Sequence, residues 1–169
     1  HDGGAYAAQK TGSEMIVMDF INPADSPDIT VDQVVDQMIE QGAELIFATS
    51  ADMKEGILKA AAEHPNIPMI WSTGDSAWVE GNDYHPELPN LGNIMGKMEY
   101  GKMIAGCAAA LKTETNKIGF VGALINSETK RLANSAYLRA KYCWEEVRGK
   151  DITDLSFEIK WIGFWFHIP

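Results

Sequence analysis

The stretch "ELIFATS", Glu44 to Ser50, sets the strongest limit on how this chain can fold. It is a short, continuous apolar run, the pattern of a strand in a parallel sheet covered on both faces. Amphipathic segments flank it. Upstream, "DITVDQVVDQMIEQG" places Val31, Val34, Val35, Met38 and Ile39 at the i, i+3, i+4, i+7, i+8 spacing of one helical face. Thr30 and Gln33 make a capping-box pair at its start, and Gly42 ends it. Downstream, "MKEGILKAAAEHP" predicts a second helix closed by Pro65, and "IPMIWST" the next strand. Strand, turn and helix recur in order, which implies an α/β fold of parallel sheets flanked by helices.

The rest of the chain extends this pattern. "EMIVMDF" predicts a short strand over residues 15–20. Beyond "GDSAWVEGNDYHPELPNLG" come a strand at "NIMGKM", a helix at "EYGKMIAGCAAALKTE" and a strand at "KIGFVGA". A long helix, "SETKRLANSAYLRAKYCWEEVRG", follows, capped by Ser127 and stopped by Gly149. Ala133, Ala136, Tyr137, Ala140, Trp144 and Val147 lie on one of its faces. The last strand, "SFEIKWIGFWF", alternates at Phe157, Ile159 and Trp161. The stretch 74–92, rich in Gly, Pro, Asn and Asp, has the length of a functional loop or of a connection between units. The expected division is therefore 1–92 and 93–169.

Composition narrows the partners. With 169 residues, 46% of them hydrophobic, there is chain enough for one good core or two small ones. A net charge of −10 without a basic run repels phosphate backbones, so no nucleic-acid partner is expected. No window approaches the roughly 18 consecutive apolar residues of a membrane span. The opening "HDGGAYAAQK" carries no basic-then-apolar leader and reads as a start within a longer protein. Cys107 and Cys143 fall in separate predicted helices without CxxC spacing. They read as buried free thiols, with no metal signature and no disulfide framework.

In open α/β sheets, ligands bind where strands end and loops begin. Those loops hold Thr49, Ser50, Ala51 and Asp52, then Ser72, Thr73, Gly74, Asp75 and Ser76, then Leu124, Ile125 and Asn126, and last Trp165, Phe166 and His167. Ser50 and Asp52 suit helix capping as well as ligand contact; Gly74 and Asp75 suit a turn. Trp71, on an apolar strand, suits the core. Trp165 and Phe166 crowd the outlet of a strand whose one face Phe157, Ile159 and Trp161 already fill. Rings at a pocket rim stack planar ligands, a contact of about 1–3 kcal/mol per base in nucleobase systems. The four histidines show no HExxH spacing, and no GxSxG, GxxxxGK[ST] or GxGxxG motif occurs. No catalytic residue, metal or cofactor is expected.

Three stretches resemble the basic membrane protein family of ABC-importer solute-binding proteins. They are "EQGAELIFATSADMKEGILKAAAEHPNIPMIW", "EYGKMIAGCAAALKTETNKIGFVGA" and "WIGFWFHIP". The resemblance implies a two-lobed periplasmic-binding-protein-like fold of type I, with a purine nucleoside or purine base held between aromatic rings in the cleft. It implies delivery to a membrane permease, an extracytoplasmic location (periplasmic or as a surface lipoprotein) and no enzymatic activity. Family members are longer, so the chain is expected to be cut at both ends: 1–92 as a first lobe lacking its first strand, 93–169 as the start of the second. By the same resemblance "DGGAY" is a first-lobe ligand loop, with Asp2 as its acid. Its aromatic slot is Ala5 here; either Tyr6 supplies the ring from a shifted position or the ligand differs. Trp165 matches the second-lobe ring, and His167 stands where the family has Asp. The rival expectation is a cytoplasmic effector-sensing module of a transcriptional regulator with the same fold.

Overall fold

The computed structural model describes residues 2–21 and 26–164. The chain divides into two compact units, His1–Met95 and Gly96–Pro169.

The first unit opens on helix α1 (Asp2–Thr11), where a ligand loop was expected. Alanine, glutamine and lysine favour helix here, Asp2 suits the positive end of the helix dipole, and Gly12 at φ 73° ends it. No residue of α1 is buried. The expected strand at 15–20 does not form. An apolar run becomes a strand only where a neighbour offers ladder partners, and the sheet of this unit is β1 (Ile46–Ala48), β2 (Met69–Ser72) and β3 (Leu91–Ile94), in that order and all parallel. The strand expected at "NIMGKM" is thus β3, set earlier in the chain and paired to β2.

Helix α2 (Val31–Glu40) leads into β1, and α3 (Lys54–Glu63) joins β1 to β2. The Thr30–Gln33 capping box forms, and Gly42 at φ 95° follows the last turn. Val31, Val35, Ile57, Ala60, Met69 and Trp71 are core members. Lys59 pairs with Asp32 across the helices and, with a hydrogen bond from Thr30, holds that carboxyl below its ordinary pKa. The segment 74–90 is ordered by turns folded back on the unit: Ser76 is fully buried, and Leu88 joins the core. Asn90 Nδ2 donates at 3.0 Å to the carbonyls of Ala61, His64 and Ile67, tying the segment's end to the exit of α3.

In the second unit, α4 (Met98–Lys112) and α5 (Ser127–Tyr142) pack on each other, and β4 (Lys117–Gly122) pairs in parallel with β5 (Ser156–Trp161). A Cβ on Gly106 would strike the carbonyl of Ala136, so the helix backbones touch where Gly106, Ala110, Ala136 and Ala140 leave room. Asn126, not Ser127, caps α5: its Oδ1 accepts from Thr129 N–H at 2.9 Å. A π turn, Cys143–Val147, extends the helix. Its extra residue per turn rotates the expected face, so Trp144 is fully buried while Val147 is 59% exposed. Tyr137, expected on the buried face, is also exposed.

Cys107 and Cys143 are joined in a disulfide, which corrects the expectation of free thiols. Residues 36 apart in sequence meet because α4 and the π turn pack together, a proximity that spacing could not reveal. The bridge borders a small cluster of Ala110, Ala140, Cys143 and Trp144. Trp144 donates from Nε1 to Asp151 O at 2.8 Å. Arg148 donates to the carbonyls of Ala110 and Thr113 at 2.7 and 3.0 Å, closing the exit of α4.

Candidate functional site

The carboxyl ends of β1, β2 and β3 form one edge of the first unit's sheet. Continuing the strand register sets Ser50 beside Thr73 and Thr73 beside Met95. Ser50 caps the 3-10 turn Ala51–Met53, its Oγ accepting from Asp52 N–H at 3.4 Å. Its carbonyl accepts from Trp71 Nε1 at 2.9 Å. Trp71 is only 3% exposed, so it fixes the loop from within the core and is not free to stack on a ligand.

After β2 the chain turns sharply. A Cβ on Gly74 would lie within the Trp71 ring and against Asn93, so glycine is required here for close approach. The left-handed residue is Thr73, at φ 68°. Thr73 N–H donates to Ile94 O at 2.7 Å, yet its Oγ1 is shielded from solvent and has no hydrogen-bond partner. Asn93 bridges the turn, donating to Trp71 O and accepting from Ala77 N–H. Ser76 donates to Asp83, which also pairs with Lys54 at 2.5 Å; the Lys54 and Ser76 hydrogen bonds hold the Asp83 carboxyl below its ordinary pKa.

Four sequence-nominated residues, Ser50, Asp52, Gly74 and Asp75, therefore meet at one sheet edge. Asp52 and Asp75 are half-buried and, among the described residues, neither carboxylate has a side-chain partner. The edge can accept hydrogen bonds from a polar solute; among the described residues no group of His, Cys, Asp and Glu is arranged to hold a metal. Asp2 and Tyr6 do not share a loop at a strand end: both are exposed on α1, with Lys10 Nζ 5.5 Å from the Tyr6 ring. Thr73 lies in a strand-end loop legible from the sequence, but nothing in "STGDS" marks the threonine, not the glycine, as left-handed.

In the second unit, Asn126 and Thr129 at the β4 outlet bond to each other in the α5 cap. Hydrogen bonds from Ile162 and Gly163 to the carbonyls of Gly122 and Ala123 carry the pairing past the strand ends. Trp161 packs over Gly122, and Phe164 is 41% exposed. Trp165, Phe166 and His167 lie outside the described residues. Two surface depressions are lined by none of these outlet residues. One, of about 660 Å³, runs between residues 18–21 and α2; the other, of about 670 Å³, runs along α4 from Tyr100 to Leu111.

A family model for PnrA-like ABC transporter substrate-binding proteins matches residues 2–140. A putative ABC transporter glucose-binding protein, TsgA13, of Haloferax volcanii is 25% identical over 149 residues, which are 88% of this chain and 32% of that protein. Metabotropic glutamate receptor-like protein F of Dictyostelium discoideum is 25% identical over 124 residues, 73% of this chain and 15% of that one. Among solved structures, an ABC transporter solute-binding protein from Conexibacter woesei superposes with a TM-score of 0.51 at 19% identity, covering 98% of this chain and 49% of its own. The chain thus spans about a third to a half of the length of the transport proteins it matches.

Proposed function

From the premise that the chain belongs to the Bmp family of PnrA-like ABC transporter substrate-binding proteins, we propose that it works as the solute-binding component of an ABC importer. The solute is a purine nucleoside or purine base, held at the carboxyl ends of the parallel strands and passed on to a membrane permease. The carrying observation is the family match over residues 2–140, which includes the outlets where Ser50, Asp52, Thr73, Gly74 and Asp75 converge. The edge of a purine and the hydroxyls of a ribose both offer donors that unpaired carboxylates accept. Trp165 and Phe166 are the rings assigned to stacking. Binding, with no chemistry on the solute, is the whole role.

The Cys107–Cys143 disulfide supports an extracytoplasmic site of action, because such bonds persist where thiols are not kept reduced. A second reading follows from the name of the Haloferax relative: the same carboxylates would accept the hydroxyls of a sugar such as glucose. Calorimetric titration of the full-length protein with adenosine, guanosine, hypoxanthine and glucose separates the two. Micromolar or tighter binding of a purine compound and none of glucose is expected; the reverse pattern replaces the purine by a sugar.

A further inference from the structure

Thr73 combines two independent unfavourable features at the edge where the solute is proposed to bind. Its φ of 68° puts a β-branched residue in the left-handed region, where Cβ crowds the following carbonyl. Its hydroxyl is shielded from water and unpartnered. Glycine would relieve the first and valine the second, so neither feature serves the stability of the unit. Both persist because the backbone is held: Thr73 N–H is bonded to Ile94 O, and Gly74 is pressed against the Trp71 ring. The turn itself is closed by a long bond, Gly74 N–H to Trp71 O at 3.4 Å.

We propose that Thr73 is a specificity-determining residue of the solute site, its hydroxyl kept unsatisfied until a neutral polar group of the solute completes its hydrogen bond. This rests on the reading that a solute sits at this edge. A hydroxyl both donates and accepts, so it suits a ring nitrogen, an amide-like purine edge or a sugar hydroxyl. A hydrocarbon edge would leave it unpaired and be rejected, since a site built to bond a polar group discriminates strongly against analogues that lack it. Strained backbone at a ligand site fits the same account.

The test uses the full-length protein with Thr73→Val and Thr73→Ser. Valine keeps the branching, the bulk and the left-handed strain and removes only the hydroxyl; serine keeps the hydroxyl. Titration with adenosine, guanosine, hypoxanthine and glucose is paired with mass spectrometry of any solute carried through purification. The valine variant is expected to melt at or above the wild-type temperature and to bind at least tenfold more weakly. The serine variant should stay within about threefold of wild type. Valine affinity within twofold of wild type, or equal losses in both variants, overturns the proposal; so does a lower melting temperature for the valine variant, which would mean the hydroxyl is already satisfied. If the wild type binds none of the four but carries another solute, the purine reading fails by itself. Thr73 is then judged on that solute: its loss from the valine variant supports the proposal, and equal retention overturns it. A wild type that neither binds nor carries a solute overturns both.

Discussion

Reducing the Cys107–Cys143 bridge should loosen the second unit and leave the first unchanged. The bond closes a loop of 36 residues. In the chain-entropy treatment, freeing a loop of that length costs about 4 kcal/mol. Little else in the unit offsets such a loss. The buried cluster beside the bridge is Ala110, Ala140, Cys143 and Trp144, and the α4–α5 contact is made of small side chains that bury little apolar area each. At 1.4 kcal/mol per decade, about 4 kcal/mol lowers protection against amide exchange by roughly a thousandfold. Hydrogen exchange read by mass spectrometry, with and without reductant, resolves this by segment. Peptides from 98–147 should exchange much faster after reduction, and peptides from 31–63 should not change. A Cys107→Ser/Cys143→Ser double variant should match the reduced protein. Unchanged exchange in 98–147, or equal acceleration in both units, would refute the reasoning.

Asn90→Ala removes the donor shared by three carbonyls at the α3 exit and should cost about 1–3 kcal/mol in urea unfolding; a cost near zero would mean those carbonyls find other partners. Gly106→Ala forces a methyl into the Ala136 carbonyl, and melts should show about 1–3 kcal/mol of destabilisation, whereas a neutral result would mean the helices are farther apart. The carboxyl of Asp32 is held below the ordinary 3.8 by Lys59 and then Thr30, so the unfolded chain binds its proton more readily. Its stabilisation is full above about pH 4 and is lost as pH falls through the lowered value. Asp32→Asn should therefore lower stability at pH 7 and flatten the acid limb of the stability–pH curve; an unchanged acid limb would remove Lys59–Asp32 from the account.

Local pattern marked much of this fold in advance: "ELIFATS" became β1, and the Thr30–Gln33 cap and the alternation of Phe157, Ile159 and Trp161 appear as read. But β1 is covered on one face only, with Ile46 and Ala48 buried and Phe47 53% exposed, where burial on both faces was expected. Failures came where structure depends on a distant partner. "EMIVMDF" has the composition of a strand but no ladder to join. Cys107 and Cys143 pair through a helix contact that no local pattern encodes. The opening "DGGAY" is drawn into α1 by the good helix formers Ala7, Ala8, Gln9 and Lys10 that follow it, where the family pattern suggested a loop. At the candidate site, strand ends were legible, and Ser50, Asp52, Gly74 and Asp75 lie beside them. What each residue does there was not. Gly74 serves close packing under Trp71, and the left-handed conformation that a Thr-Gly pair would assign to glycine falls on Thr73.

Photolabelling tests the proposed binding edge directly. A purine nucleoside bearing an azide on the base, bound to the full-length protein, irradiated and located by tandem mass spectrometry, should label residues 49–52, 73–76 or Trp165, and excess adenosine should abolish the label. Label confined to the α2 groove lined by Asp36 and Gln37, or to the outer face of α4 around Ile104, would contradict binding at the strand ends.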